Sequence, residues 1–182
     1  MGKFNTMNNK ILNLALAVGQ VMRSFLIFIL IVVVLAGILL VIDTDALPFL
    51  RYENGAFNFS GQTATDEVGF RPEGWYILFT FIKLAATIFC SVLIINELIK
   101  VIQSIRSLDT FKEKNILAFR RMASIFIALF FIHVFSLTQT EEQFSFSLSL
   151  PLQYLLGVIA CYILAEIFKE GNRLMEENQL TI

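Results

Sequence analysis

Long apolar runs alternate with shorter polar stretches along the chain. Crossing a hydrocarbon core of about 30 Å takes roughly 20 apolar residues in a helix, and runs of that kind recur along this sequence. The first, FLIFILIVVVLAGILLVI, carries no charge and is too long to be a set of short buried strands. We therefore expect an all-α membrane protein, a single domain (residues 1–182) built as a bundle of four transmembrane helices. The predicted spans are residues 24–42, 75–98, 122–138 and 151–169.

Lysine and arginine are unevenly distributed over the connecting segments. They concentrate before the first span, in the loop 99–121 and around the tail 170–182, whereas the loops 43–74 and 139–150 hold only Arg51 and Arg71. Since cytoplasmic loops keep the positive residues, 99–121 is predicted to be an inner loop, and 43–74 and 139–150 to be outer loops. Both termini are then expected in the cytoplasm.

The N-terminal segment leaves one alternative open. The first apolar run is longer than the roughly 7–15 residues of a signal-peptide core, and no A-x-A site follows Ile42, so we interpret it as a retained anchor. Residues 9–23 mix apolar and polar positions. They either lie in the membrane interface or lengthen span one.

Both outer loops contain strand patterns. Asn54-Gly55 separates two segments that carry aromatic residues, which is a strong hairpin signal. In the second loop Phe144, Phe146, Leu148 and Leu150 alternate with serines, which is typical of a strand with one apolar face. We expect a small extracytoplasmic β-sheet or hairpin that caps the bundle, with irregular loops as the alternative. In the inner loop, Thr110 as N-cap and Glu113 at the third position form a capping box that would open a helix into span three.

Ionisable residues within membrane spans are candidates for function, because each costs a few kcal/mol unless it is paired or wetted. The polar face of span two follows a helical spacing through Lys83 to Glu97, and it serves either as a polar path or, as we favour, as interhelical hydrogen bonding. His133 is interpreted as a hydrogen-bonded structural residue rather than a proton relay, and Glu166 is expected to pair with an arginine. The candidate intramembrane network comprises Lys83, Glu97, Arg120, Arg121, His133 and Glu166.

Small residues recur every fourth position in span four, at Gly157, Cys161 and Ala165. Such a face lets another helix approach closely, either within the chain or in a homo-oligomer. Cys90 and Cys161 are predicted to be inert thiols in apolar surroundings rather than a disulfide.

Composition sharpens this picture. The chain is 57% hydrophobic and 16% charged, with a mean hydropathy of +0.72, which excludes a disordered chain and argues against a soluble one. A net charge of −1 provides no basic field, so no direct nucleic-acid binding is expected. No catalytic, phosphate-loop, dinucleotide or metal motif is visible in the sequence, which predicts a protein that is not an enzyme and has no cofactor or metal.

Two predicted cytoplasmic segments carry a family resemblance. The tail AEIFKEGNRLMEENQLTI, with TFKEKN at residues 110–115 leading to Arg120-Arg121, resembles the proteins grouped as domain of unknown function 2975 (DUF2975). The resemblance implies a four-span protein of the bacterial inner membrane without established activity. It also implies a neighbouring gene for a short helix-turn-helix regulator.

Two functions follow as hypotheses. The first is a regulatory or scaffold protein that holds a cytoplasmic partner, for instance such a regulator, through its inner loop and tail. The tail would add a strand to, or dock in a groove on, a small basic protein. Alternatively, residues 170–178 merely prolong span four as a solvated helix. The alternative is a subunit of a transporter or channel that uses the polar groups of spans two to four. Candidate partner-binding residues are Thr110, Phe111, Asn115, Leu174, Glu177, Asn178, Leu180 and Ile182.

Overall fold

The computed structural model of the chain describes residues 2–42, 50–53, 56–59, 74–107, 112–139 and 144–179. Within them, the helices are α1 (Gly2–Ile42), α2 (Gly74–Arg106), α3 (Glu113–Val134) and α4 (Leu152–Gln179). The strands are β1 (Leu50–Glu53), β2 (Ala56–Phe59), β3 (Phe135–Gln139) and β4 (Phe144–Leu148). All four of these helices are long and apolar enough to cross a membrane. The predicted class, an all-α membrane fold with small β-structure, is confirmed.

Helix α1 is continuous over 41 residues. Residues 9–23 therefore extend the first helix, which decides between the two alternatives for this segment. At about 1.5 Å per residue the helix is on the order of 60 Å long, twice the thickness of a hydrocarbon core. Helix α2 likewise continues past residue 98, and α4 past residue 169.

Helix α3 differs from its prediction at both ends. It begins at Glu113 with Lys112 as N-cap and without a side-chain capping bond, so the predicted capping box is wrong. Lys112 has an extended backbone (φ −73, ψ 149), which a helix cannot include. The helix ends at Val134, and residues 135–138, predicted to complete span three, belong to β3. There the sequence Phe-Ser-Leu-Thr changes to an alternation of period two and pairs with β4.

The helices pack in chain order, α1 on α2, α2 on α3 and α3 on α4. Glycine permits the closest approaches of α1 to α2. A Cβ atom added at Gly37 would lie 2.9 Å from the Cβ of Phe81, and one added at Gly19 would lie 3.1 Å from Ile99 Cγ1. Phe81 and Ile99 lie towards the two ends of α2. A larger residue in place of either glycine would push α1 and α2 apart at that contact.

The buried core lies towards one end of the array. We call it the inner end because the loop predicted to be cytoplasmic joins α2 to α3 there, and we call the opposite end the outer end. The centre of the core is formed by residues of α2, α3 and α4, and the rings of Phe119 and Phe168 lie 5.0 Å apart within it. The remaining helix surface exposes many large apolar side chains, as expected where the solvent is lipid. The buried residues of the core are Val101, Ile116, Ala118, Phe119, Met122, Ala123, Cys161 and Ala165.

The strands in the described residues form two separate antiparallel pairs, β1–β2 and β3–β4. Glu53 pairs with Ala56, so the predicted hairpin around Asn54-Gly55 is confirmed, although these two residues lie outside the described ones. The strand predicted near residues 144–150 is present as β4, but it pairs with β3 and does not join β1–β2 in one capping sheet. A partner only a few residues away costs little loop-closure entropy, which favours this local pairing.

Candidate functional site

The predicted ionisable residues separate into two groups, one near each end of the array. Lys83 and His133 meet near the outer end, where Thr87 and Tyr154 join them; we call these four residues the outer cluster. Glu97 and Arg121 meet near the inner end, on the facing sides of α2 and α3. Glu166, on α4, joins neither group.

The outer cluster ties three helices together. The Lys83 ammonium donates a 2.8 Å hydrogen bond to the carbonyl oxygen of Phe135, where α3 passes into β3. The Thr87 hydroxyl lies 3.1 Å from Nε2 of His133, and the His133 ring stacks on Tyr154 of α4 at 5.1 Å between centroids. The Ser149 hydroxyl donates to the carbonyl of His133 at 2.9 Å, which fixes the start of the connection to α4.

The hydroxyl proton of Thr87 determines which partner donates in the hydrogen bond between Thr87 and His133. A threonine hydroxyl has a single proton to donate, and Thr87 directs it to the carbonyl oxygen of Lys83 at 2.8 Å. The same oxygen must then accept from His133, which places the imidazole proton on Nε2. His133 thereby donates from Nε2 to the Thr87 oxygen, which holds the ring in one orientation.

Hydroxyl groups on the polar face of α2 donate hydrogen bonds to backbone carbonyl groups of the same helix. Thr80 donates to the carbonyl of Tyr76 at 2.9 Å, and Ser91 donates to that of Thr87 at 2.9 Å. The Tyr76 hydroxyl reaches across to the carbonyl of Leu137 at 3.3 Å. The contacts described along this face are hydrogen bonds within α2 and from α2 to β3.

The second group lines a cavity of about 390 Å³ between the inner ends of α2 and α3, which we call the inner groove. The carboxylate of Glu97 accepts from Lys100 at 2.6 Å and lies 3.9 Å from the Arg121 guanidinium. Lys114 adds a third cationic side chain to the lining. The lining residues are Glu97, Lys100, Gln103, Ser104, Ser107, Lys114, Asn115, Leu117, Ala118 and Arg121.

Asn115 forms the base of the inner groove. Its side-chain amide donates a 2.8 Å hydrogen bond to the Ser104 hydroxyl, and the pair is buried between α2 and α3. Only 2% of Asn115 is exposed. Predicted as a residue that contacts a partner, it lies inside the protein, where it joins the ends of two helices.

Glu166 and Arg120 lie outside the inner groove. Glu166 accepts from Lys169 at 2.7 Å within α4, with both side chains exposed, and it also interacts electrostatically with Arg120 of α3. Residues three apart on a helix face are neighbours, which makes this local pair the easier one to form. Arg120 lies on the exposed side of α3, next to Arg121 but outside the groove lining.

The small-residue face of α4 packs within the chain. Cys161 and Ala165 belong to the buried core, and a Cβ atom added at Gly157 would lie 2.9 Å from Cδ1 of Phe126 on α3. The glycine therefore permits the close approach of α4 to α3.

The predicted tail is the last part of α4, which continues as a helix to Gln179. Arg173 bridges Glu170 at 2.8 Å and Glu177 at 3.4 Å, and Asn172 donates to Glu176 at 2.8 Å. The described part of the tail is therefore a helix with exposed, paired charges. Thr110, Phe111, Leu180 and Ile182 lie outside the described residues, as does the side chain of Asn178.

Lys100, Ser104 and Lys114 were not predicted as site residues. The signal was present on α2, where Glu97, Lys100 and Ser104 recur at three- and four-residue spacing and thus share a face. Which residues of α3 this face meets depends on how the two helices pack, and a sequence pattern does not contain that register.

Taken together, the apolar helices define a multi-pass membrane protein. In the part of the chain that the structure describes, no group of three His, Cys, Asp or Glu residues is placed to hold a metal ion. The chain belongs to the family described as "Protein of unknown function (DUF2975)", whose model matches residues 58–182. That match covers α2, α3 and α4, and with them the inner groove and the tail. No curated protein and no solved structure matches the chain.

Proposed function

We propose that this protein is a non-enzymatic regulatory or scaffold component of the bacterial inner membrane that holds a basic cytoplasmic protein through the tail of α4. The partner class suggested by the family resemblance is a small helix-turn-helix regulator. The observation that carries the proposal is the acidic extension of α4 beyond residue 169. Leu174 is exposed on this extension, between glutamates.

The geometry of the tail presents one continuous face. Glu170, Arg173, Leu174 and Glu177 follow the i, i+3, i+4, i+7 spacing that places side chains on one side of a helix. Phe168, about 200° around the helix from Glu170, packs on Phe119 of α3. The face therefore points away from the rest of the protein.

The charge of the tail selects a basic partner. Three glutamates and one arginine occupy residues 170–177, which leaves a net charge of −2. Leu174 is 49% exposed among them and supplies an apolar anchor. An amphipathic helix with such a surface docks on a groove of complementary charge, where carboxylates steer the encounter and the anchor contributes affinity.

The transport alternative is not favoured by these positions. It requires Lys83, His133 and Glu166 to act along one route. The outer cluster meets α4 at Tyr154, and Glu166 lies 12 residues further, on the order of 18 Å along the helix axis. Lys83 and Thr87 also hydrogen-bond to backbone carbonyl groups of the protein.

A pull-down from native membranes tests the proposal. The tagged full-length protein is solubilised in mild detergent, and co-purifying proteins are identified by mass spectrometry. The intact protein should recover a basic cytoplasmic protein that is lost when residues 172–182 are deleted. The purified partner should then bind the intact protein directly, with roughly tenfold weaker binding to Leu174→Ser or Glu177→Lys.

Two matched variants control for general damage to the tail. Met175 is 46% exposed, close to the value for Leu174, but lies about 100° around the helix; Met175→Ser should leave binding unchanged. Glu176→Lys makes the same charge change as Glu177→Lys outside the proposed face. Recovery of no cytoplasmic protein, recovery of the same set after the deletion, or equal losses in both members of each pair would contradict the proposal.

A further inference from the structure

We propose that the inner groove binds a phosphate-bearing anion, and that the headgroup of an anionic phospholipid supplies it. The cavity of about 390 Å³ lies within the volume range of small-ligand sites. It is separate from the tail face, so this inference does not depend on the proposed function.

The charges of the groove favour an anion. Lys100, Lys114 and Arg121 line it together with one carboxylate, that of Glu97, which gives the lining a net charge of +2. A phosphate diester carries one negative charge and would reduce this excess.

Arg121 is the strongest candidate for direct contact with the phosphate. Its guanidinium is 3.9 Å from Glu97, beyond hydrogen-bonding distance, while Glu97 is satisfied by Lys100 at 2.6 Å. The Arg121 side chain is 66% exposed, so its fork of donors can reorient towards a ligand. Arginine binds phosphate with two parallel hydrogen bonds, whereas lysine contributes a point charge.

The base of the groove is rigid and polar. The buried hydrogen bond between Asn115 and Ser104 fixes the distance between α2 and α3 at this level. The basic side chains therefore project from two helix ends that are held together, which reduces the ordering needed on binding.

The depth of the groove indicates a lipid source. The groove extends to the first turn of α3, where Lys114 lines it, and α3 as a candidate span runs from Glu113 to Val134. This part of the groove therefore lies where the span meets the headgroup region. Leu98 and Leu117 are exposed beside it and offer apolar surface for an acyl chain. Basic pockets at this position between membrane helices are suited to anionic headgroups.

Native mass spectrometry of the detergent-purified, full-length protein tests the inference. The protein is titrated in separate arms with phosphatidylglycerol, phosphatidylcholine and inorganic phosphate. We expect one phosphatidylglycerol to bind roughly tenfold more tightly than phosphatidylcholine, since a choline cation opposes the groove's positive charge. Arg121→Gln should remove most of this preference, and Lys100→Gln should reduce it.

Arg120→Gln is the matched control, because it removes the same charge from the adjacent position outside the groove lining. It should leave the preference for phosphatidylglycerol unchanged. Inorganic phosphate that binds as tightly as phosphatidylglycerol, with the same dependence on Arg121, would keep the phosphate site and overturn the lipid source. Equal binding by the parent, Arg121→Gln and Lys100→Gln proteins in every arm would overturn the site itself.

Discussion

The hydroxyl oxygen of Thr87 lies 3.1 Å from Nε2 of His133, and it joins the middle of α2 to the last turn of α3. Because the single hydroxyl proton points to the backbone of Lys83, the histidine donates and the threonine accepts. The contact gives the histidine a hydrogen-bond partner within an apolar helix.

Replacing Thr87 with valine keeps the shape of the side chain and removes this acceptor. We expect Thr87→Val to lower the free energy of unfolding by about 0.5–1 kcal/mol, the range of single hydrogen bonds between membrane helices. The measurement is an SDS titration of the protein in mixed micelles, followed by circular dichroism. Thr80→Val is the control, because the Thr80 hydroxyl bonds only within its own helix in the contacts described; equal effects of the two changes would contradict the role given to His133.

The buried pair at the inner end provides a second test. Asn115→Ala removes the 2.8 Å bond to Ser104 and leaves buried polar groups without their partner. The expected loss in the free energy of unfolding is about 2 kcal/mol. Ser107→Ala deletes a nearby but exposed hydroxyl, which donates to the Ser104 carbonyl, and should change stability by less than about 0.5 kcal/mol. A small effect at Asn115 would mean that the two helix ends are held by other contacts.

The contact between α3 and α4 gives a third prediction. A Cβ atom at Gly157 would lie 2.9 Å from the Phe126 ring. Although alanine favours a helix over glycine by about 1 kcal/mol, Gly157→Ala should destabilise the fold by about 1–2 kcal/mol through overpacking. The double variant Gly157→Ala with Phe126→Leu should be more stable than the sum of the single changes predicts, as a double-mutant cycle would report. A stabilising Gly157→Ala would contradict the packing.

The sequence predicted those features that depend on local pattern. Uninterrupted apolar runs such as residues 24–42 required helices, and Asn54-Gly55 specified a tight connection between β1 and β2. The start of β3 was missed because Phe135 continues the apolar run of α3, and its change to a strand depends on a partner beyond the next turn. Glu97 and Arg121 were both placed in the candidate network, but a cavity between them follows from the register of two helices.

Glu166 illustrates how a local partner adds to a distant one. Its depth near two arginines favoured an interaction between helices, and Arg120 does act on its charge, but the hydrogen bond goes to Lys169, which is three positions away on the same face and needs no tertiary packing to reach it. Where a local partner and a distant one compete, the distance along the helix decides the outcome first.

The central claim is that the tail and the inner groove face the cytoplasm while the β3–β4 pair faces outward. Single cysteines at Met175→Cys and Leu150→Cys test it directly, in a background with Cys90→Ala and Cys161→Ala, by labelling bacterial cells with a membrane-impermeant maleimide. We predict that residue 150 is labelled in intact cells and that residue 175 is labelled only after the membrane is permeabilised. Labelling of residue 175 in intact cells would contradict the account.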